Sequence, residues 1–340
     1  MAIRAEKMKK WLAIVVITGI LFGLAEGRSF ADDSESGAGK ADYEADRYDF
    51  SFVWMSDTQY YSKTFHRYFR DNVAWIRDNR DKLKIRYVMH TGDIVDEGDK
   101  IGQWIEADRN MKVLDDTGIP YGVLAGNHDA GRISGYDLYR RGFGEDRFKH
   151  RPTYGGSYQN NRGHFDLLSA AGHDFIIVYM SWSFGDAEIA WMNQVLKRYP
   201  NRKAMLCFHE YLLVSGERSP IGDRVFESVV LPNKNVFAIL SGHHHDAEIK
   251  IDPVDDDGDG KADRSVYQMM ADYQNAVDGG LGYIRLLQFD ARSGKLHVKT
   301  YSPTLNDYNY YDPIAYPGKD EFTLDLNPDL TPTAASVTTD

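Results

Sequence analysis

Five times along this chain a short apolar run ends in a tight turn that carries carboxylate, amide or imidazole side chains. The turns are Asp57-Thr58-Gln59, Gly92-Asp93-Ile94-Val95-Asp96, Gly126-Asn127-His128-Asp129, His209, and Gly242-His243-His244-His245. Runs of this length bounded by glycine and polar residues read as buried strands. Phe50 to Met55, Ile85 to His90 and Tyr121 to Leu124 are such strands, with helical patterns over Thr64 to Asn79 and Gly102 to Asp116 between them. A β-α-β-α-β succession commits the chain to an α/β fold.

The second half is richer in strands. His164 to Leu168 and Phe175 to Met180 are adjacent strands, followed by a helix over Ala187 to Arg198 and strands at Ala204 to Phe208 and Val236 to Leu240. Further strands are expected at Ala247 to Ile251, Ser265 to Met270, Tyr283 to Phe289 and Lys295 to Tyr301. An α/β beginning with a strand-rich end suggests two packed sheets with helices outside. No internal repeat is visible.

A hydrophobic content of 42% with 27% charged residues allows a large core. The net charge of −11 argues against a sequence-independent grip on nucleic acid, which needs a basic surface. Cys207 is the only cysteine, so no intrachain disulfide forms. Basic residues Arg4, Lys7, Lys9 and Lys10 precede an apolar stretch from Trp11 to Leu24 and small residues around Ala31. That pattern is a secretory signal over 1–31, shorter than the roughly 18 apolar residues of a spanning helix, with a retained anchor as the alternative. An exported protein with no other membrane segment follows. Residues 32–47 are an acidic leader too poor in apolar side chains to order, 48–303 form the folded domain, and 304–340 form an extension that is loose from about 328.

All five turns fall at the carboxyl ends of expected strands, where side chains distant in sequence converge in α/β sheets. Their donors are carboxylates, imidazoles and an amide, a mixed oxygen and nitrogen set suited to Mn, Fe or Zn. Singly, each turn has a bland reading: a capped loop, a turn, or a hydrogen-bonded histidine at the edge of the core. Together and in order they read as a metal site. His90, within its apolar run, reads as a packed strand residue instead.

In these residues, from about Phe50 to Tyr301, the chain resembles the calcineurin-like metallophosphoesterase family. The resemblance implies a four-layer αββα sandwich of two mixed sheets flanked by helices. It also implies a dinuclear metal-hydroxide mechanism acting on a phosphoester substrate. By the same resemblance Asp93 bridges two divalent metals, Asp57 and His245 complete the first site, and Asn127, His209 and His243 the second. His128 stands at the leaving oxygen and is held by Asp96. The physical logic is independent of the likeness: two cations neutralise and align the phosphate and lower the pKa of bound water. The chain departs from the family at Gln59, where a histidine is usual. An amide oxygen is the weaker ligand, which implies a weaker first site or a harder ion such as Mn there, with Gln59 ligating directly, holding a metal-bound water or hydrogen-bonding to the site.

A second acidic loop places Asp255, Asp257, Asp259 and Asp263 at calcium-loop positions one, three, five and nine, with the Lys261 carbonyl at position seven. Val266 stands where the bidentate Glu would be. The reading is one structural calcium, against a solvated acidic turn. For the chain as a whole, the competing readings are a catalytically weak surface module that binds phosphate polymer with an incomplete first metal site, and a metal-dependent protease. The protease lacks its helical His-Glu-x-x-His pattern.

Overall fold

The computed structural model describes residues 47–326, so the signal segment, nearly all of the acidic leader and the tail beyond 328 lie outside the described residues. The chain begins with β1 (Phe50–Met55), helices α1 (Gln59–Lys63) and α2 (His66–Asp78), β2 (Ile85–His90), α3 (Ile101–Asp116) and β3 (Tyr121–Val123). Two short helices follow, α4 (Asp137–Phe143) and α5 (Glu145–Phe148), then β4 (Tyr154–Tyr158), β5 (Gly163–Ala170), β6 (His173–Met180), α6 (Asp186–Arg198) and β7 (Lys203–Phe208). Helix α7 (Pro220–Val225) runs into a π-turn at Phe226–Val230 before β8 (Val236–Ser241), β9 (Ala247–Val254), β10 (Arg264–Ala271), β11 (Ile284–Asp290) and β12 (Lys295–Ser302). The last strands are β13 (Asp307–Tyr308) and β14 (Phe322–Asp325).

The strands form two mixed sheets. One runs β13-β12-β11-β1-β2-β3, with β14 also paired to β12; the other runs β4-β5-β6-β7-β8-β10-β9. β1, β2 and β3 are mutually parallel, as are β6, β7, β8 and β10. Side-chain alternation then builds the layers. Phe50, Phe52 and Trp54 of β1 meet Phe175, Ile177 and Tyr179 of β6 in the core between the sheets. Val53 and Met55 face the other way, onto Tyr68, Phe69, Val73 and Ile76 of α2 and Trp104, Met111 and Leu114 of α3. Ile176, Val178 and Met180 likewise cover Ile189, Met192, Val195 and Leu196 of α6. The result is the expected helix-sheet-sheet-helix sandwich.

The helix expected from Thr64 to Asn79 is α2, which begins two residues later, and the short helix α1 precedes it where the sequence pattern marks none. Thr64 and Phe65 both bond back to the Tyr60 carbonyl, and Phe65 takes φ −101° and ψ 52°, so the chain turns before α2 begins at His66. Edge strand β4 (Tyr154–Tyr158) is half-buried and carries two glycines, so it has no apolar alternation to reveal it. Residues 304–326, expected as an extension, supply β13 and β14 to the first sheet. Among the described residues no helix is long and apolar enough to cross a membrane.

Candidate metal centre

The ligand turns leave β1, β2 and β3 in one sheet and β7 and β8 in the other, each at the carboxyl end of a parallel strand. Three of the expected ligands bend the backbone into the left-handed region: Asp57 at φ 53°, Asp93 at φ 51° and His243 at φ 70°. Non-glycine residues seldom adopt that conformation, and they gather at functional sites where surrounding structure holds them. The turns also pack so closely that side chains are excluded. A Cβ on Gly126 would lie 2.1 Å from Asp93 Oδ1, and one on Gly242 would lie 2.0 Å from Asp57 Oδ2.

At the centre, Asp93, His209 and His243 offer donor atoms that all lie within 4.8 Å of one another. His209 Nε2 stands 3.2 Å from Asp93 Oδ2 and 2.9 Å from Asn127 Oδ1. Its Nδ1 donates to the Thr91 carbonyl at 2.9 Å, which fixes the ring and directs Nε2 into the cluster. Trp182, just beyond β6, lays its ring 4.9 Å from that of His243 and 5.8 Å from that of His209. Asp57 is reached by a relay that starts in the core: Trp54 Nε1 donates to Thr91 Oγ1 at 2.9 Å, Thr91 to Ser56, and Ser56 to Asp57. The His243 backbone N–H also faces the Asp57 carboxylate, at 3.3 Å.

Gln59 is fully buried in the same place. Its Nε2 lies 3.4 Å from Asp93 Oδ2 and donates to Gln274, while its Oε1 is buried without a hydrogen-bond partner. His245 is the most open of the set; its Nδ1 pairs with Asn275 at 2.6 Å and its Nε2 sits 3.9 Å from Asp272 Oδ2. His128 is half-buried, and its backbone N–H donates to Asp93 Oδ1 at 2.9 Å. Sequence reading has Asp96 hold His128 without saying through which atom. The backbone carbonyl of Asp96 takes Nδ1 at 2.8 Å, and its carboxylate lies 3.5 Å away, turned to Lys63. His90 is buried and bonded to Thr58 and Gly92, as a packed strand residue.

The electrostatics follow from burial. Asp57, Asp93 and Asp272 are at most 2% exposed, and among the described residues none of them pairs with a lysine or arginine. Burial raises the Asp57 carboxyl well above its usual range, and neighbouring Asp272 adds to this. Burial also lifts Asp272 to about 7. For Asp93 burial acts upward too, but the His209 ring outweighs it and the carboxyl ends lower than usual. His209 is disfavoured as a cation by burial, yet Asp93 and Asp57 carry it up to about 10. Burial and then His209 push His243 down to about 3, which keeps that ring neutral and available as a donor.

One protonated imidazole, His209, faces three buried carboxyls, and acid groups in such excess are costly to ionise in a low-dielectric interior. The orphaned Gln59 oxygen, the glycine cradles around Asp57 and Asp93, and the mixed carboxylate, amide and imidazole donors all fit divalent metal ions.

Three contributors escaped sequence reading. Asp129 accepts from the backbone N–H groups of Ile94, Val95 and Gly126, so it ties the second and third turns together. Trp182 and Asp272 each follow a strand, β6 and β10, and strand-end position was the signal that could have marked them. The acidic loop joins β9 to β10. Carboxylate oxygens of Asp255, Asp257 and Asp263 come within 4.8 Å of one another. Asp259 stays outside that group, where it accepts from Lys261 N at 2.8 Å.

The geometry has counterparts. The calcineurin-like phosphoesterase model matches residues 50–247. A curated relative, the uncharacterized protein YvnB of Bacillus subtilis strain 168, is 57% identical over 292 residues, which are 86% of this chain and 22% of the relative. The chain therefore spans about a fifth of that protein's length. Among solved structures, a dimetal phosphatase from Danio rerio superposes with a TM-score of 0.52 at 12% identity, over 82% of this chain and 99% of that one. The purple acid phosphatase PPD1 of yellow lupin gives 0.55 at 13% identity, over 83% of this chain and 55% of the other. At such identities the superpositions speak to fold. The family match, which spans the turns that carry Asp57, Asp93, Asn127, His209 and His245, says more: this chain belongs to the calcineurin-like phosphoesterase family, whose members imply a pair of divalent metal ions and phosphoester hydrolysis.

Proposed function

We propose that this chain is an exported hydrolase of phosphomonoesters or phosphodiesters, with Mn, Fe or Zn as its two metals. The observation that carries the reading is the meeting of Asp93, His209 and His243 within 4.8 Å, with Asp57 and Asn127 bonded to the same group. Bound there, a pair of divalent cations supplies charge neutralisation and an activated water for attack on phosphorus.

The side chains divide the remaining work. Asp93 sits between the turns and is placed to bridge, with its Oδ1 fixed by His128 N and its Oδ2 facing His209. Asn127 adds a neutral oxygen donor, so the ligand set does not cancel all the positive charge that must face a phosphate. With Nδ1 engaged by the Asp96 carbonyl, His128 keeps Nε2 free to protonate or hydrogen-bond a leaving oxygen. Trp182 packs its ring against those of His209 and His243, which helps to fix their orientation.

Export rests on the N-terminal basic and apolar pattern, and its test is whether the mature protein appears outside the cell with residues 1–31 removed. A structural calcium at Asp255, Asp257, Asp259, Lys261 and Asp263 rests on loop spacing and the close carboxylates. Calcium should raise the melting temperature of the wild type and not that of Asp255→Asn. The function itself is tested with Mn-loaded protein on p-nitrophenyl phosphate and bis(p-nitrophenyl) phosphate. Turnover of either that depends on added metal supports it. Failure on both, by a protein that binds metal, favours a phosphate-binding module.

A further inference from the structure

The first metal position lacks the imidazole usual at residue 59, yet the structure surrounds that position with more negative charge than the five turns contain. Asp272 is 2% exposed and immediately follows β10, which runs parallel to β8, the strand that delivers His243 and His245. It therefore stands at a parallel strand's carboxyl end, like every other ligand. Its backbone N–H donates to the Asp246 carbonyl at 2.9 Å, so the turn that carries His245 fixes its place.

The side chain faces the site. Asp272 Oδ2 lies 3.9 Å from His245 Nε2, and its charge acts on both Asp57 and Asp93. Gln274 bonds the Asp272 carboxylate through its own backbone N–H at 2.8 Å and through Nε2 at 3.2 Å. The same Gln274 accepts from Gln59 Nε2, and the Gln59 oxygen beside it is buried with no partner. Gln59, Gln274 and Asp272 are thus one connected set placed between Asp93 and His245. A carboxylate with one tether besides a neighbouring amide, buried next to another carboxylate, keeps lone pairs with no protein donor to fill them.

We propose that Asp272 is a ligand of the first metal, supplying the anionic donor that replaces the histidine absent at Gln59. The inference rests on the dinuclear reading of the site but not on any substrate. In a chain with glutamine at this position, an added carboxylate offsets the weaker amide.

The test is metal binding, with hydrolysis measured separately. Wild-type protein stripped with chelator and titrated with Mn should take up two ions. Asp272→Asn should retain one at wild-type affinity and bind the other about 10²-fold more weakly. Without metal, Asp272→Asn should melt at or above the wild-type temperature, because a buried repulsion is gone, while its stabilisation by Mn shrinks. A merely structural role would lower the metal-free melting temperature and leave the stoichiometry unchanged. Two ions bound with wild-type affinity by Asp272→Asn overturn the proposal, as does a wild type that takes up one. Should the variant fail to fold, Mn-soaked wild-type crystals decide. An Asp272 oxygen within about 2.4 Å of a Mn supports the assignment, and a longer separation rejects it. Two bound ions without phosphoesterase turnover would sink the proposed function and leave this ligand assignment standing.

Discussion

Gly126→Ala adds one methyl group where Asp93 has no room to receive it. That Cβ would meet Asp93 Oδ1 at 2.1 Å, Asp93 N at 2.6 Å and Asp93 Cγ at 2.8 Å. Contacts below 3.0 Å are essentially never seen, so the groups must separate by about 0.9 Å. Asp93 cannot simply rotate away: His128 N–H holds its Oδ1 at 2.9 Å, and its backbone is itself one of the obstructing atoms. The third turn is pinned as well, since Gly126 N–H donates to Asp129 at 2.9 Å. The displacement therefore falls on the position where a bridging carboxylate must sit. A misplacement near 1 Å costs about 10²-fold in rate, or about 2.7 kcal/mol of transition-state stabilisation. The assay is kcat/KM on a nitrophenyl phosphoester with saturating Mn, beside a thermal melt. Gly142→Ala is the control, because a Cβ there meets nothing within 4 Å and the position is helical. It should leave activity unchanged and stability equal or slightly higher. Wild-type turnover by Gly126→Ala would refute the placement of Asp93 between these turns.

Other expectations follow from the same geometry. His128→Ala should lower kcat by about 10²-fold while elemental analysis still finds both metals, and loss of a metal would move His128 into the ligand set. Adding Mn to weakly buffered, metal-free protein at pH 7 should acidify the solution, because His209 at about 10 and part of Asp272 at about 7 are protonated until the cation enters. A pH electrode that shows no release would contradict the assignment of His209 as a ligand. Asp166 tests the core rather than the site. Burial raises its carboxyl from 3.8 to about 7, against the opposing Tyr87 hydrogen bond and Arg151 charge. A raised carboxyl binds its proton more tightly in the folded chain, so its stabilisation is complete below about pH 3.8 and lost as pH climbs through 7. Asp166→Asn removes that loss, up to about 4 kcal/mol over the span. Its melting temperature should exceed wild type at pH 8 and not at pH 4; equal behaviour at both would refute the burial argument.

Strands that are buried on both faces announced themselves. Phe50–Met55 and Ile85–His90 were legible to the residue because apolar side chains are required on the core side and the helix side alike. Edge strand Tyr154–Tyr158 was not, since one half-exposed face and two glycines impose no pattern. The ligand turns were readable because glycine, carboxylate and imidazole recur at strand ends. Asp272 was missed although it obeys the same positional rule: it follows Met269-Met270-Ala271 with no glycine beside it, and its one signal was the Asp272-Tyr273-Gln274 spacing, the same as Asp57-Thr58-Gln59. Trp182 was missed because an aromatic after a strand ordinarily packs in the core, and only the folded chain shows it against His243. The role of Gln59 was read as a deficit in the first site. Its neighbours Gln274 and Asp272, more than two hundred residues away in sequence, could be joined to it only by the fold.

Anomalous diffraction from Mn-soaked crystals tests the central claim most directly, because it counts and places the cations without reference to substrate. Two peaks about 3.5 to 4 Å apart, with the Asp93 carboxylate between them and Asn127, His209 and His243 around one, are the expected result. A single peak, or peaks that lie away from Asp93, would contradict it.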